Sequence, residues 1–177
     1  KTFDLPAGLA GMLPGVSPAN SLARQYDRHV FHGATLQDMP DEPRFTFCAL
    51  NLLSGGLWRF AKPYMADYRV GQIRNPQLKL SLVVAASSAF PIGLSPLKLK
   101  FSPDEVEPMG GADLHRPPFT RRAMLTDGGV YENLGIEPIW KRYRTLLVSD
   151  AGGLLPTFSW PVAIPLSHSI RVAQVAH

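Results

Sequence analysis

Apolar residues change their spacing several times along this chain, and each spacing predicts an element. Leu22, Tyr26 and Val30 recur at four-residue intervals with Ala19 and Ala23 beside them, the pattern of one buried helix face. Ser17 then serves as N-cap and Pro18 as the first helical residue, where a missing N–H costs nothing, and Gly33 ends the helix. Arg24, Arg28 and His29 fall toward the negative end of its dipole. Residues 44–50 form a short apolar run bounded by Pro40-Asp41-Glu42-Pro43 and Asn51, which predicts a strand. Ser54-Gly55-Gly56 predicts a turn into a second strand at 57–61, and hence a hairpin.

Asn75-Pro76 repeats the cap-and-proline signature and predicts a helix reaching about Ser88. Its residues are apolar almost all round, so it is expected to be buried, and Phe90-Pro91 stops it. Residues 101–120 have the composition of a long surface loop. Met124-Leu125-Thr126 predicts a short strand running into Asp127-Gly128-Gly129. Ile136, Ile139, Trp140 and Tyr143 have helical spacing, which places Trp140 in a core. Leu146-Leu147-Val148 reads as a buried strand with Asp150 at its exit, and a last helix starts near His168. Strands alternating with helices predict an α/β layered fold with helices on both faces of a sheet. Residues 1–16, rich in Gly and Pro, read as an irregular lead-in, and 17–177 as a single domain.

Composition narrows the function classes. At 177 residues, 45% hydrophobic and 18% charged, the chain has enough apolar material for one globular core. The net charge of +4 is modest, and Arg121-Arg122 and Lys141-Arg142 are too short to form a nucleic-acid patch. A mild basic balance does suit peripheral contact with anionic lipid headgroups. No run of about 18 apolar residues is present to span a bilayer. The single cysteine, Cys48, cannot form an internal disulfide; within Phe45-Thr46-Phe47-Cys48-Ala49-Leu50 it reads as a packed thiol in a reducing compartment. The expected location is cytoplasmic or peripherally membrane-associated.

Asp127-Gly128-Gly129 is the sharpest chemical feature. It sets a carboxylate at a strand's carboxyl end, with two glycines that allow a tight turn and close approach of backbone or substrate. Asp-Gly is also a good ordinary turn. Three rival sites are weaker. Asp150 shares only the strand-exit position, His29 and His32 lack an acidic or cysteine partner for a metal, and Ser87-Ser88 lack flanking glycines and read as small packing residues. Phe158-Ser159-Trp160-Pro161 is a weaker candidate for lining an acyl channel or touching a membrane surface.

The run Thr126-Asp127-Gly128-Gly129-Val130-Tyr131-Glu132-Asn133-Leu134-Gly135 resembles the aspartate motif of the patatin-like lipid acyl hydrolases. Val84-Ala85-Ala86-Ser87-Ser88-Ala89-Phe90-Pro91 resembles the small-residue helix end preceding that motif, and 44–56 resembles the strand and turn before it. The resemblance covers about residues 17–153. It implies a three-layer α/β fold with a mixed, mostly parallel central sheet flanked by helices. It also implies a Ser–Asp dyad in which Asp127 is the base and Gly128 and Gly129 shape the supporting turn, with no metal or organic cofactor. The substrate would be a lipid ester: a phospholipid or neutral lipid.

The nucleophile's G-x-S-x-G elbow and the glycine-rich oxyanion loop have no match here. Gly15-Val16-Ser17-Pro18-Ala19 ends in Ala, and Pro18 lacks the N–H an oxyanion needs. The expectation is therefore the carboxy-terminal part of one patatin-like domain, truncated at both ends and inactive alone. Its serine would lie upstream, and an uncovered sheet edge would favour self-association. The alternative is a non-catalytic lipid-binding or interaction module.

Overall fold

The computed structural model describes residues 18–91, 94 and 96–150. The Ser17 cap, the 158–161 aromatic stretch and the helix near His168 lie outside the described residues.

Helix α1 (Pro18–Tyr26) buries Ala19 and Ala23, as their spacing requires. It then widens into a π turn, Asp27–Phe31, closed by a 2.7 Å bond from His32 N–H to the Asp27 carbonyl. The wider turn changes the angular step per residue, which carries Val30 off the buried face to 58% exposure. His32 (φ 49°) and Gly33 (φ 89°) reverse the chain, and Asp27 fixes the reversal by accepting from Gly33 N–H and pairing with Lys79.

The expected hairpin is present: β1 (Phe47–Asn51) pairs antiparallel with β2 (Gly56–Ala61), from Phe47 opposite Phe60 to Asn51 opposite Gly56. Two further short strands follow, β3 (Tyr64–Asp67) and β4 (Gly71–Arg74). After helix α2 (Leu80–Ser87) come β5 (Leu97–Lys100) and β6 (Arg122–Asp127). The six strands form one sheet in the order β4-β3-β2-β1-β6-β5.

Every pairing in that sheet is antiparallel, which overturns the expected three-layer fold with a mostly parallel sheet. A parallel pair needs a long crossover, usually helical, whereas consecutive antiparallel strands need only a tight turn. β1 to β4 are joined by such turns, at Leu52–Gly55, Lys62-Pro63 and Tyr68–Val70. Both helices are short, and α2 packs against α1, β1 and β6. The core between them holds Trp58, Phe60, Val83, Leu97 and Leu125. Trp58 lies 5.6 Å from Phe101 and 6.3 Å from Phe60, centroid to centroid.

The second helix begins later than its cap signature suggests. Asn75 takes φ 44°, and 76–79 stay extended because Leu36 N–H binds the Leu78 carbonyl and Leu80 N–H the Ala34 carbonyl. Both sheet edges carry protection. The outer strand β5 presents Lys98 and Lys100 to solvent, and β4 is bridged at Gln72 by Glu107.

Two later elements differ from expectation. Residues 136–143 close two helical bonds, Trp140 N–H to Ile136 O and Tyr143 N–H to Ile139 O, but remain a series of turns. Trp140 is 52% exposed rather than in a core. Short helices persist by burying an apolar face, and here Ile136 and Ile139 are only half-buried while Trp140 and Tyr143 stay exposed. Leu146-Leu147-Val148 forms no strand, and Leu147 is 97% exposed.

Candidate functional site around Asp127

β6 delivers Asp127 opposite Ala49 of β1, and the chain turns at once into a 3₁₀ turn, Gly128–Val130. Asp127 caps that turn, accepting Gly129 N–H on Oδ1 at 2.8 Å. Its other carboxylate oxygen has no hydrogen-bond partner among the described residues, and Asp127 lines an open cleft of about 320 Å³. A half-exposed carboxylate with one oxygen pinned and the other available is poised to accept a proton from an incoming hydroxyl.

The two glycines differ in their reasons. A Cβ on Gly128 would fall 2.5 Å from the Cys48 carbonyl oxygen, so the close approach of β1 demands glycine there. A Cβ on Gly129 would meet Asn133 Oδ1 at 3.0 Å and Asp127 Oδ1 at 3.2 Å, crowding the carboxylate itself. Gly128→Ala is therefore expected to push β1 and β6 apart and lower stability by about 1–3 kcal/mol, read by thermal unfolding. An unchanged melting temperature would show that β1 yields freely.

Helix α2 ends against this strand exit. Ala85, Ala86 and Ala89 are fully buried, and their small size lets the Ala89 carbonyl accept from Asp127 N–H (3.0 Å) and Thr126 Oγ1 (2.7 Å). The two sequence runs singled out above thus meet at one point. Ser88 spends its hydroxyl on the Val84 carbonyl, but Ser87 lines the Asp127 cleft, a placement that its reading as a packing residue missed. Glu132, also in the cleft, accepts backbone N–H groups from Leu134, Ile136 and Glu137 and so holds the wall opposite.

Cys48 borders the same cleft. Burial pushes its thiol up to about 11, with Glu132 and Glu137 adding to the rise and Arg59 opposing it. The fold thus favours the neutral thiol. That contribution is intact below the unfolded value near 9 and is lost as pH rises toward 11. Iodoacetamide should modify Cys48 in the folded protein along a profile centred near pH 11, against about 9 after unfolding. Rapid alkylation at pH 8 would refute burial as the cause.

The rival sites are dispersed. His29 and His32 are exposed, and among the described residues no group of three potential metal ligands gathers anywhere. Asp150 ends an exposed irregular stretch instead of a strand.

A buried polar cluster at the far end of β1 escaped the sequence reading. Asp67, fully buried, accepts from Asn51 Nδ2 (3.0 Å) and Ser54 Oγ (2.5 Å) on one oxygen and from Arg69 N–H (3.0 Å) on the other. Asn51 Oδ1 in turn accepts from Leu53 and Met124 N–H groups. Every partner is internal, which marks the cluster as a structural tie between β1, β3 and β6. An acid ending the otherwise apolar strand Tyr64–Asp67 was the available signal.

No protein-family model, curated protein or solved structure matches this chain. No helix of the described residues is long and apolar enough to cross a membrane.

Proposed function

We propose that this chain supplies the general base, Asp127, of a patatin-like serine lipid acyl hydrolase, whose nucleophilic serine is carried on a segment preceding it. The observation that carries this reading is the Asp127 carboxylate at a strand exit, one oxygen fixed by Gly129 N–H, in a residue that lines an open cleft. The chemistry needs a carboxylate held at a strand end, which an antiparallel sheet can supply as well as a parallel one. Asp127 takes the serine hydroxyl proton as Oγ bonds to the ester carbonyl carbon. The C–O bond to the alcohol then breaks, and the alcohol leaves with the proton from Asp127. Water repeats the sequence in reverse on the acyl-enzyme, again deprotonated by Asp127, and frees the fatty acid. No cofactor takes part.

Substrates of this reading are phospholipids or neutral lipids, with peripheral contact to a membrane surface. The test is ester hydrolysis by the protein carrying both the serine segment and this chain, comparing wild type with Asp127 variants. Turnover that survives loss of the carboxylate would favour the non-catalytic lipid-binding module instead.

A further inference from the structure

A larger groove adjoins the Asp127 cleft, and Thr46 and Phe47 line both. We propose that this groove seats the acyl chain of a net-negative phospholipid, with Arg44 and Arg142 receiving the headgroup phosphate. The inference names the substrate class for the hydrolase reading and rests on that reading for its chemistry, while the binding itself can be tested apart.

The groove encloses about 560 Å³, inside the range of about 300–1,000 Å³ that takes small-molecule ligands. Leu36, Phe47, Ala61, Tyr64 and Ile139 give it apolar walls suited to hydrocarbon. Its charged lining consists of Asp41, Glu42, Arg44, Lys62 and Arg142. Lys62 and Asp41 neutralise each other at 2.9 Å, and Lys62 also donates to the Met39 carbonyl. Glu42, Arg44 and Arg142 are all exposed and have no ion-pair partner among the described residues, which leaves one net positive charge. The remaining balance of the groove is positive, and guanidinium forks match phosphate oxygens.

The surface beyond the groove continues that charge. Residues 138–149 carry Lys141, Arg142 and Arg144 and no acidic residue. Among them Trp140 (52%) and Leu147 (97%) are exposed, and Lys141 Nζ lies 4.8 Å from the Trp140 ring centroid. Aromatic and aliphatic side chains interleaved with cations suit a headgroup interface. Thr46 and Phe47, shared by the two, place the groove beside the Asp127 cleft.

The probes are oleoyl-lysophosphatidylglycerol and oleoyl-lysophosphatidylcholine, kept below their aggregation concentrations and titrated into the full chain by tryptophan fluorescence. The phosphatidylglycerol form is expected to bind saturably and the choline form more weakly. Arg44→Ala with Arg142→Ala should weaken the former about tenfold and the latter by less, because both lipids carry the phosphate but only the first is net negative, and Arg44→Lys with Arg142→Lys should recover part of the loss. Both positions are exposed, so these variants should keep the wild-type circular dichroism. Equal affinity for the two lipids, or full affinity in the double alanine variant, overturns the inference. So does self-association that neither lipid disperses, which would assign the groove to a second copy. The two readings fail separately. Normal turnover in Asp127→Asn defeats the hydrolase but leaves the lipid site standing. Lost turnover with unaltered lipid binding in the arginine variants defeats the lipid site alone.

Discussion

Asp127→Asn is expected to lower ester turnover about a thousandfold while the protein remains folded, because general-base catalysis contributes roughly 10²–10⁴-fold. The substitution is nearly isosteric. The asparagine carbonyl can still accept Gly129 N–H, the 2.8 Å bond that caps the turn, so the strand exit should survive. What disappears is the capacity of the second oxygen to take a proton. Asp127→Ala should lose the same activity and in addition about 1 kcal/mol of stability with the cap. Comparing the two separates proton transfer from turn geometry. If Asn retains activity and Ala does not, the carboxylate serves the turn and not the reaction. If both retain activity, Asp127 is not the base. Turnover and thermal unfolding measured on the same preparations make the distinction.

The second large effect falls far from the cleft. Asp67→Ala is expected to lower the unfolding free energy by about 3–5 kcal/mol, since each buried donor left without a partner costs about 1–3 kcal/mol. Asn51 Nδ2 would lose its acceptor and Arg69 N–H its own, and Ser54 Oγ would keep only its longer 3.4 Å bond to the Asn51 carbonyl. Asp67 is fully buried, so the donors left behind are sealed from bulk water. Asn51 also accepts Met124 N–H, so the damage should spread to the β1–β6 pairing that carries Asp127. Urea unfolding measures the cost, and Asp67→Asn, which keeps one acceptor, should lose less. A loss below about 1 kcal/mol would show that the cluster contributes little net stability.

Local chemistry made part of this fold legible. The Ser54-Gly55-Gly56 turn between two apolar runs specified the β1–β2 hairpin, and the exit of 124–126 into Asp127-Gly128-Gly129 located the carboxylate at a strand end. The small-residue run at 84–91 places Ala89 where the backbone of Asp127 meets it. β3, β4 and β5 were not legible. Each has four residues, too few for a period of two to stand out, and β5 alternates leucine and lysine inside a stretch broken by prolines. Without them, strands alternate with helices along the chain, which gives the layered α/β expectation, while the mostly parallel sheet is what the patatin-like resemblance implies.

The amphipathic spacing of Ile136, Ile139, Trp140 and Tyr143 was real but insufficient, because periodicity names a face and cannot provide the surface that buries it. Trp140 and Tyr143 accordingly stand exposed at 52% and 57%. Sequence by itself determined the first helix and its stop, the hairpin, and the carboxylate and glycines at the exit of β6, since each depends on residues adjacent in the chain. Tertiary structure alone decided the antiparallel order of the sheet, the entry of Ser87 and Cys48 into the Asp127 cleft, and the sealing of Asp67 by Asn51 and Ser54. Those arrangements depend on contacts between distant segments, where burial and hydrogen-bond satisfaction outweigh the preferences of any single stretch.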